Sequence, residues 1–237
     1  MDIRQPGRVV AGTVERAEID EGLRSYMLRV YNYMASGLAL TGIVAYLVAQ
    51  SPEVMHAVFG TPLYWLVVLA PLGLVFFLSA RINRMQASTA QALFWFYAGL
   101  MGVSLSFIFV AYTGTSIARV FFITAGSFAG LSLYGYTTRR DLSAFASFLM
   151  VGLIGIILAS VVNLFLHSTG LQFAVSVIGV LVFAGLTAYD TQSIKELYLA
   201  SDDASTATRK SVMGALRLYL DFLNLFLMLM QLLGNRR

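Results

Sequence analysis

From Leu216 to Leu233 the chain reads LRLYLDFLNLFLMLMQLL, a run that is apolar enough to cross a membrane and that nevertheless contains a carboxylate. A spanning helix needs about 20 mostly apolar residues. Steps of four, three and seven residues separate the polar side chains of this run, which are Arg217, Asp221, Asn224 and Gln231. These steps place all four on one helical face. Polar faces inside a membrane turn toward protein or water, so we expect a bundle or a wet cavity to cover this face.

The composition of the whole chain indicates a membrane protein. Of its 237 residues, 58% are hydrophobic and 12% are charged, whereas a soluble domain carries about 25% charged residues. The basic excess is therefore interpreted as membrane topology and not as affinity for nucleic acid. The absence of Cys excludes disulfides, thiol nucleophiles and cysteine metal sites. His56 and His167 lie in different connections, so we expect no histidine metal centre and no cofactor.

Seven segments have the length and apolar character of spanning helices. They are about Leu28–Ala49, Leu63–Ala80, Ala90–Tyr112, Ile117–Tyr136, Leu142–Leu166, Leu171–Tyr189 and Val212–Leu233. Most connections are short, so residues 25–237 are predicted to form a single all-α membrane domain of seven transmembrane helices. Residues 1–24 carry both signs of charge and few large apolar side chains, which predicts a flexible cytoplasmic tail. The GSFAG run at Gly126–Gly130 is a small-residue pattern that suggests close helix packing in the fourth span.

Lysine and arginine set the orientation, because cytoplasmic loops carry the excess of both. Twelve fall on one side of the predicted membrane and three on the other. The twelve are Arg4, Arg8, Arg16, Arg24, Arg29, Arg81, Arg84, Arg139, Arg140, Lys195, Arg209 and Lys210, and the three are Arg119, Arg236 and Arg237. The N-terminus is therefore predicted to be cytoplasmic. A re-entrant last segment would return the C-terminal arginines to the inside, but its length favours a full span.

A second carboxylate stands at the inner end of the sixth span, in GLTAYDTQSIKELY at Gly185–Tyr198. Charges at such depths cost several kcal/mol and usually carry function. Asp221 lies nine residues after Val212, about 14 Å inward along a helix. Asp190 can meet it if the sixth helix continues through DTQSIKEL, or if the seventh begins outside the core. Two carboxylates in contact would share a proton and titrate as a coupled pair, which makes a pH sensor without histidine.

A simpler interpretation of the two aspartates stays open at this point. Asp221 could be a structural carboxylate neutralised by Arg217 four residues earlier, with Asp190 at a helix end facing water. Arg81, in LSARINRM at the end of the second span, has about the right depth to pair with Asp190. It could equally be a topological anchor.

Several motifs give the chain a family resemblance. AYDTQ at 188–192 and LYLDFLNLFLMLMQLLGNRR at 218–237 strongly resemble the bacterial branch of the Bax inhibitor family. GYTTRRDLSAF at 135–145 followed by GLIGIILASVVN at 152–163 matches its middle region, and LRSYMLRVYNYMASGLALTG at 23–42 looks like its first span. The resemblance covers about Glu21–Arg237, nearly the whole chain.

This resemblance implies a fold in which six helices surround the seventh, in a bacterial inner membrane. It also implies a pH-sensitive calcium leak. The paired aspartates of the family carry over to Asp190 and Asp221, with transient calcium contacts at both, and its span-two arginine carries over to Arg81, with Arg84 as the alternative. Arg217 and Asn224 are secondary site residues. The expected partners are calcium ions, protons, the lipid bilayer and other membrane proteins.

Two other classes of protein compete with the leak. An intramembrane aspartyl protease also uses two carboxylates, one as acid and one as base. That family requires Gly-x-Gly-Asp on its seventh span, whereas this chain has Leu218-Tyr219-Leu220-Asp221, so we expect no enzyme. A substrate-cleavage assay separates the two. The third class is a non-conducting scaffold or quality-control partner of other membrane proteins, which a failure to conduct in liposomes would favour.

Overall fold

The computed structural model describes the backbone of residues 6–237 and the side chains of residues 19–237. Its helices are α1 (Pro6–Ala49), α2 (Pro52–Phe59), α3 (Leu63–Arg81), α4 (Ala87–Leu105), α5 (Phe107–Ala111), α6 (Gly114–Thr137), α7 (Ser143–Leu166), α8 (Thr169–Glu196) and α9 (Ala204–Leu233), with a 3₁₀ turn at Ile82–Arg84. Residues 1–5 and the side chains of residues 6–18 lie outside the described part. The flexibility predicted for residues 1–24 therefore stays a prediction.

Seven helical segments are long and apolar enough to cross a membrane, as the sequence predicts. They are Ile19–Ala49, Leu63–Arg84, Ala87–Ala111, Gly114–Thr137, Ser143–Leu166, Thr169–Glu196 and Ala204–Leu233, here called spans one to seven. The sixth span continues two turns beyond Tyr189, and the seventh begins eight residues before Val212. Asp203 caps the seventh span because its carboxylate accepts the N–H groups of Ser205 and Thr206.

The seventh span forms the centre of the bundle. Of the 18 most apolar consecutive residues in each span, 61% are buried in span seven and 11% in span five. Spans one, three, four and six pack directly on it, and the turn Ile82–Arg84 at the end of span two reaches it as well. Span two otherwise packs on span three, and span five on span six. The predicted all-α, seven-helix membrane architecture is confirmed.

Two glycines let span six approach its neighbours closely. A Cβ atom on Gly135 of span four would overlap the backbone of Ala188, and one on Gly214 of span seven would lie 2.9 Å from Ile194 Cγ2. Both contacts fall within two turns of Asp190. The close packing suggested for Gly126 and Gly130 is wrong within this chain, because a Cβ atom at either position would meet nothing within 4 Å.

The last helix runs the full height of the bundle. Near its start, Arg209 Nη1 donates to the Met85 carbonyl at 3.3 Å, at the end of span two. Beyond its end, the Asn235 N–H donates to Ser116 Oγ at 2.9 Å, and the Arg237 N–H donates to the Ala111 carbonyl at 3.1 Å. The C-terminal residues therefore lie at the opposite end from the start of the helix, which agrees with the full span expected from its length.

Candidate functional site at the interface of spans six and seven

The structure brings the carboxyl groups of Asp190 and Asp221 within hydrogen-bonding distance of each other. The contact forms because α8 stays helical through Glu196 and runs against α9 at Gly214. Both routes to contact that the sequence leaves open are observed, since the sixth helix continues to Glu196 and the seventh begins at Ala204, eight residues before Val212. We call this pair of side chains the dyad.

The two members of the dyad differ in exposure. Asp221 is 5% exposed, and its Oδ2 atom is buried with no hydrogen-bond partner among the described residues. Asp190 is half-buried. A buried polar atom without a partner is costly.

Arg217 is the cation that faces the dyad. It is half-buried and close enough to act electrostatically on both Asp190 and Asp221. It nevertheless forms no ion pair within 4.0 Å with either of them. Among the described side chains, the one ion pair within that distance joins Lys210 to Asp202, at 2.6 Å. Arg217 thus adds positive potential to the site without neutralising one aspartate in particular.

The two span-two arginines lie at the same end of the bundle as the dyad but apart from it. Arg81 and Arg84 are both exposed, whereas Ile82 between them is buried in the core. Across residues 19–237 neither arginine makes an ion pair. The pairing of Arg81 with the dyad stays a prediction, as does the choice between Arg81 and Arg84.

The other polar residues of the seventh span have different roles in the packing. Asn224 Nδ2 donates to the Leu220 carbonyl of its own helix at 2.8 Å. Gln231 Oε1 accepts a hydrogen bond from Ser176 Oγ at 2.6 Å, which ties spans six and seven together near the far end. Gln231 of the predicted polar face therefore contacts span six, as Asp221 does.

Sequence reasoning missed a chain of hydroxyl groups beside the dyad. The Tyr31 hydroxyl bonds to Ser132 Oγ at 2.7 Å, and Ser132 Oγ bonds to Thr191 Oγ1 at 2.9 Å. Gln192 holds the same end of span six, since its Oε1 accepts the Leu142 N–H at 2.8 Å and its Nε2 donates to the Arg140 carbonyl at 2.9 Å. Both Thr191 and Gln192 stand in the AYDTQ motif, which was the available signal.

The exposed carboxylates of the adjoining connections have the opposite environment. Hydrogen bonds from Ser143 lower the pKa of Asp141, and the bond from Thr206 lowers that of Asp203. Because the ordinary aspartate value is about 3.9, both stay ionised near neutral pH. The described residues hold no cluster of three or more His, Cys, Asp or Glu side chains that could bind a metal ion.

Comparisons with known proteins cover nearly the whole chain. The family model described as "Inhibitor of apoptosis-promoting Bax1" matches residues 23–237. The protein RP147 of Rickettsia prowazekii is 50% identical over 230 residues, which are 97% of this chain and 98% of that protein. The inner membrane protein YbhL of Escherichia coli K12 is 49% identical over 219 residues, 91% of this chain and 94% of the relative. A membrane protein of Streptococcus pyogenes serotype M3 is 35% identical, with 91% and 95% covered.

Proposed function

This chain belongs to the Bax inhibitor family, and on that premise we propose that it is a pH-sensitive calcium leak of the bacterial inner membrane. The observation that carries the proposal is the contact of Asp190 with Asp221 inside a membrane bundle. Neither aspartate has an ion-pair partner within 4.0 Å in the described residues, so the pair is free to exchange protons.

The proton balance of the dyad follows from its geometry. Two ionised carboxylates in contact repel each other, and the burial of Asp221 adds to the cost of ionising both. The pair therefore holds one proton and one negative charge at neutral pH and above, and it takes up a second proton in acid. Because the two groups are coupled, both protonation steps belong to the pair.

Loss of that negative charge opens the gate. In the closed state the charged dyad attracts the cationic end of span two at Arg81, while Arg217 faces the dyad from its own helix. Protonation removes the attraction, span two moves away, and a path opens. Calcium prefers oxygen ligands, so the carboxylates also suit the ion that passes. In the described conformation Arg81 is exposed, and the proposal therefore requires span two to move between states.

The surroundings of Asp221 favour a leak over a protease. Leu218 and Tyr219 are fully buried, and Leu220 completes a bulky run before the aspartate. A protease needs its substrate backbone to approach the catalytic carboxylate, whereas these side chains occupy the space beside it. We therefore propose that the chain is not an enzyme. Partnership with other membrane proteins remains the second candidate, and the liposome experiment below decides against it if the purified chain conducts.

Calcium flux into proteoliposomes tests the proposal. We expect the leak of the unaltered protein to rise as the pH falls from about 8 to about 6, because acidification adds a second proton to the coupled pair. Asp190→Asn should flatten that response. A flux that is flat with pH in folded, unaltered protein would contradict the proposal, and so would a retained pH response in Asp190→Asn.

Histidines are the control, because their charge changes over the same pH range in general. The chain has only His56 and His167, both in connections at the end away from the dyad. The double variant His56→Gln/His167→Asn should keep the full pH response. Asparagine is chosen at 167 because that residue has a left-handed backbone with φ of 52°.

The orientation of the chain is part of the proposal. We place the N-terminus and the dyad end in the cytoplasm, because twelve Lys and Arg residues lie on that side against three on the other. A reporter fused before Asp2 should be cytoplasmic, and one fused after Arg237 should not be. A cytoplasmic signal from the C-terminal fusion would contradict seven complete spans.

A further inference from the structure

An apolar groove separates spans one and four. It has a volume of about 870 Å³, within the range of small-molecule sites. Its walls carry small side chains, among them Ala35 and Ala39 of span one and Ala125 and Ala129 of span four, and Phe222 of span seven forms its floor. Small residues facing one another usually let membrane helices pack closely. Here the two helices stand apart, and the groove lies between them.

The groove begins at a shallow polar cleft at the dyad end, which lies along one face of span one. The cleft has a volume of about 430 Å³ and shares Arg24 and Leu28 with the groove. Its other lining residues are Arg29, Ser25, Asn32 and Glu21. Two guanidinium groups, a hydroxyl and an amide thus stand beside one carboxylate. Guanidinium groups bind phosphate oxygens in bidentate fashion, and basic residues at the end of a transmembrane helix attract anionic lipid headgroups.

The two cavities together have the polarity of a phospholipid. From Arg24 to Ile43 the groove follows span one for nineteen residues, about 28 Å of helix. That length exceeds one leaflet of a bilayer whose hydrocarbon core is about 30 Å thick. The cationic mouth matches an anionic headgroup, and the apolar length matches an acyl chain.

We propose that the cleft and groove bind one anionic phospholipid, with its phosphate at Arg24 and Arg29 and an acyl chain between spans one and four. The lipid would contact Tyr31 and Ser132, which line the groove and hydrogen-bond toward Thr191 beside Asp190. This binding goes beyond the leak and does not depend on it.

Native mass spectrometry of the purified protein, titrated with phosphatidylglycerol or phosphatidylcholine, tests the site. The unaltered protein should retain one phosphatidylglycerol more tightly than phosphatidylcholine. Arg24→Gln should weaken the binding of phosphatidylglycerol by about fivefold and that of phosphatidylcholine by less, since the choline group offsets the phosphate charge. Arg84→Gln at the end of span two should alter neither.

A matched pair of neighbours on span four tests the acyl-chain position. Ala129 lines the groove, whereas Gly130 at nearly the same depth does not, and a Cβ atom at Gly130 would meet nothing within 4 Å. Ala129→Phe should weaken the binding of both lipids by about tenfold, because the ring displaces roughly two methylene groups of the acyl chain. Gly130→Phe should bind both as the unaltered protein does.

Three results would overturn the proposal. They are equal retention of the two lipids by the unaltered protein, unchanged binding by Ala129→Phe, and equal losses in Ala129→Phe and Gly130→Phe. If Ala129→Phe does not elute as a folded protein in gel filtration, Ala35→Phe on the opposite wall replaces it with the same expected loss.

Discussion

Asp221 and Phe222 are neighbours on the seventh helix, yet the interfaces they face differ in almost every respect. On the Asp221 side, span six lies close, with backbone against side chain at Gly214 and a second carboxylate at Asp190. On the Phe222 side, spans one and four stand apart over an apolar groove. The central helix therefore has one tight polar interface and one open apolar interface.

The difference shows what fixes a polar site inside a membrane. Bringing two carboxyl groups together requires the helices that carry them to approach closely, and the approach here depends on glycines where a side chain would collide. The groove also has small residues on both walls, yet its helices stand apart, and the hydrogen bond between Tyr31 and Ser132 at 2.7 Å joins them across it. Small residues permit close packing but do not by themselves bring two helices into contact.

The largest expected effect comes from overfilling the close contact of span six with span four, next to the tight polar interface. Gly135→Leu places a side chain against the Ala188 backbone, which cannot move without displacing span six. Overpacking costs about 1–3 kcal/mol, and a collision with backbone belongs at the upper end or beyond. A thermal unfolding assay in detergent should show a large loss of stability.

Gly130→Leu is the matched control on the same helix. Because a Cβ atom there meets nothing, the thermal midpoint should stay close to that of the unaltered protein. Equal losses in both variants would mean that the two sides of span four are not packed as differently as described.

A smaller effect is expected where span one is held to the centre. Thr41 Oγ1 accepts the Tyr219 hydroxyl at 2.7 Å and itself donates to the Ala98 carbonyl at 2.8 Å. Thr41→Val leaves the buried Tyr219 hydroxyl without a partner, which costs about 1–3 kcal/mol. Tyr219→Phe leaves Thr41 satisfied by Ala98 and should cost about 1 kcal/mol.

The double variant sharpens this expectation. Thr41→Val/Tyr219→Phe removes both hydroxyl groups, so it should be more stable than the sum of the single losses predicts. Simple additivity in the same unfolding assay would show that this bond does not hold span one against the seventh helix.

The smallest change in stability is expected at the dyad itself. Asp221→Asn should alter the free energy of unfolding by no more than about 1 kcal/mol, because the amide can still donate to Asp190 and Arg217 still faces that carboxylate. If Asp221 instead served only to neutralise Arg217, an unpaired buried cation would cost about 3–5 kcal/mol.

Arg217→Ala/Asp221→Asn separates these two accounts. If Asp221→Asn causes a large loss of stability and the added Arg217→Ala restores it, Asp221 is a structural carboxylate that neutralises Arg217. No rescue, together with a small loss in Asp221→Asn alone, is the outcome expected for a dyad.

Much of the fold could be predicted from the sequence because hydropathy reports directly on membrane partition. The seven spans and the single polar face of the seventh helix follow from residue type and spacing alone. The pairing of Asp190 with Asp221 also depends on where the two helices end and begin. Span six continues through Glu196 and span seven begins at Ala204, which the residues allowed but did not impose.

Other features depend on contacts that spacing does not contain. The sequence pattern favoured Gly126 and Gly130 for close packing, whereas the contact lies at Gly135, because a small-residue pattern does not say which face meets a neighbour. The hydroxyl chain from Tyr31 to Thr191 joins three spans, so the AYDTQ motif marks Thr191 but does not reveal its partners. The groove exists because two helices fail to meet, and no single stretch of sequence encodes that distance.

The most direct test of the central claim is infrared absorption by neutral carboxyl groups, measured at pH 8 and pH 6 on the unaltered protein and on Asp190→Asn/Asp221→Asn. Asp141 and Asp203 do not contribute at either pH, since their hydrogen bonds lower their pKa values and keep them ionised. A shared proton predicts one neutral-carboxyl signal at pH 8 that the double variant lacks, and a second that appears at pH 6. Identical spectra for the two proteins at both pH values would contradict it.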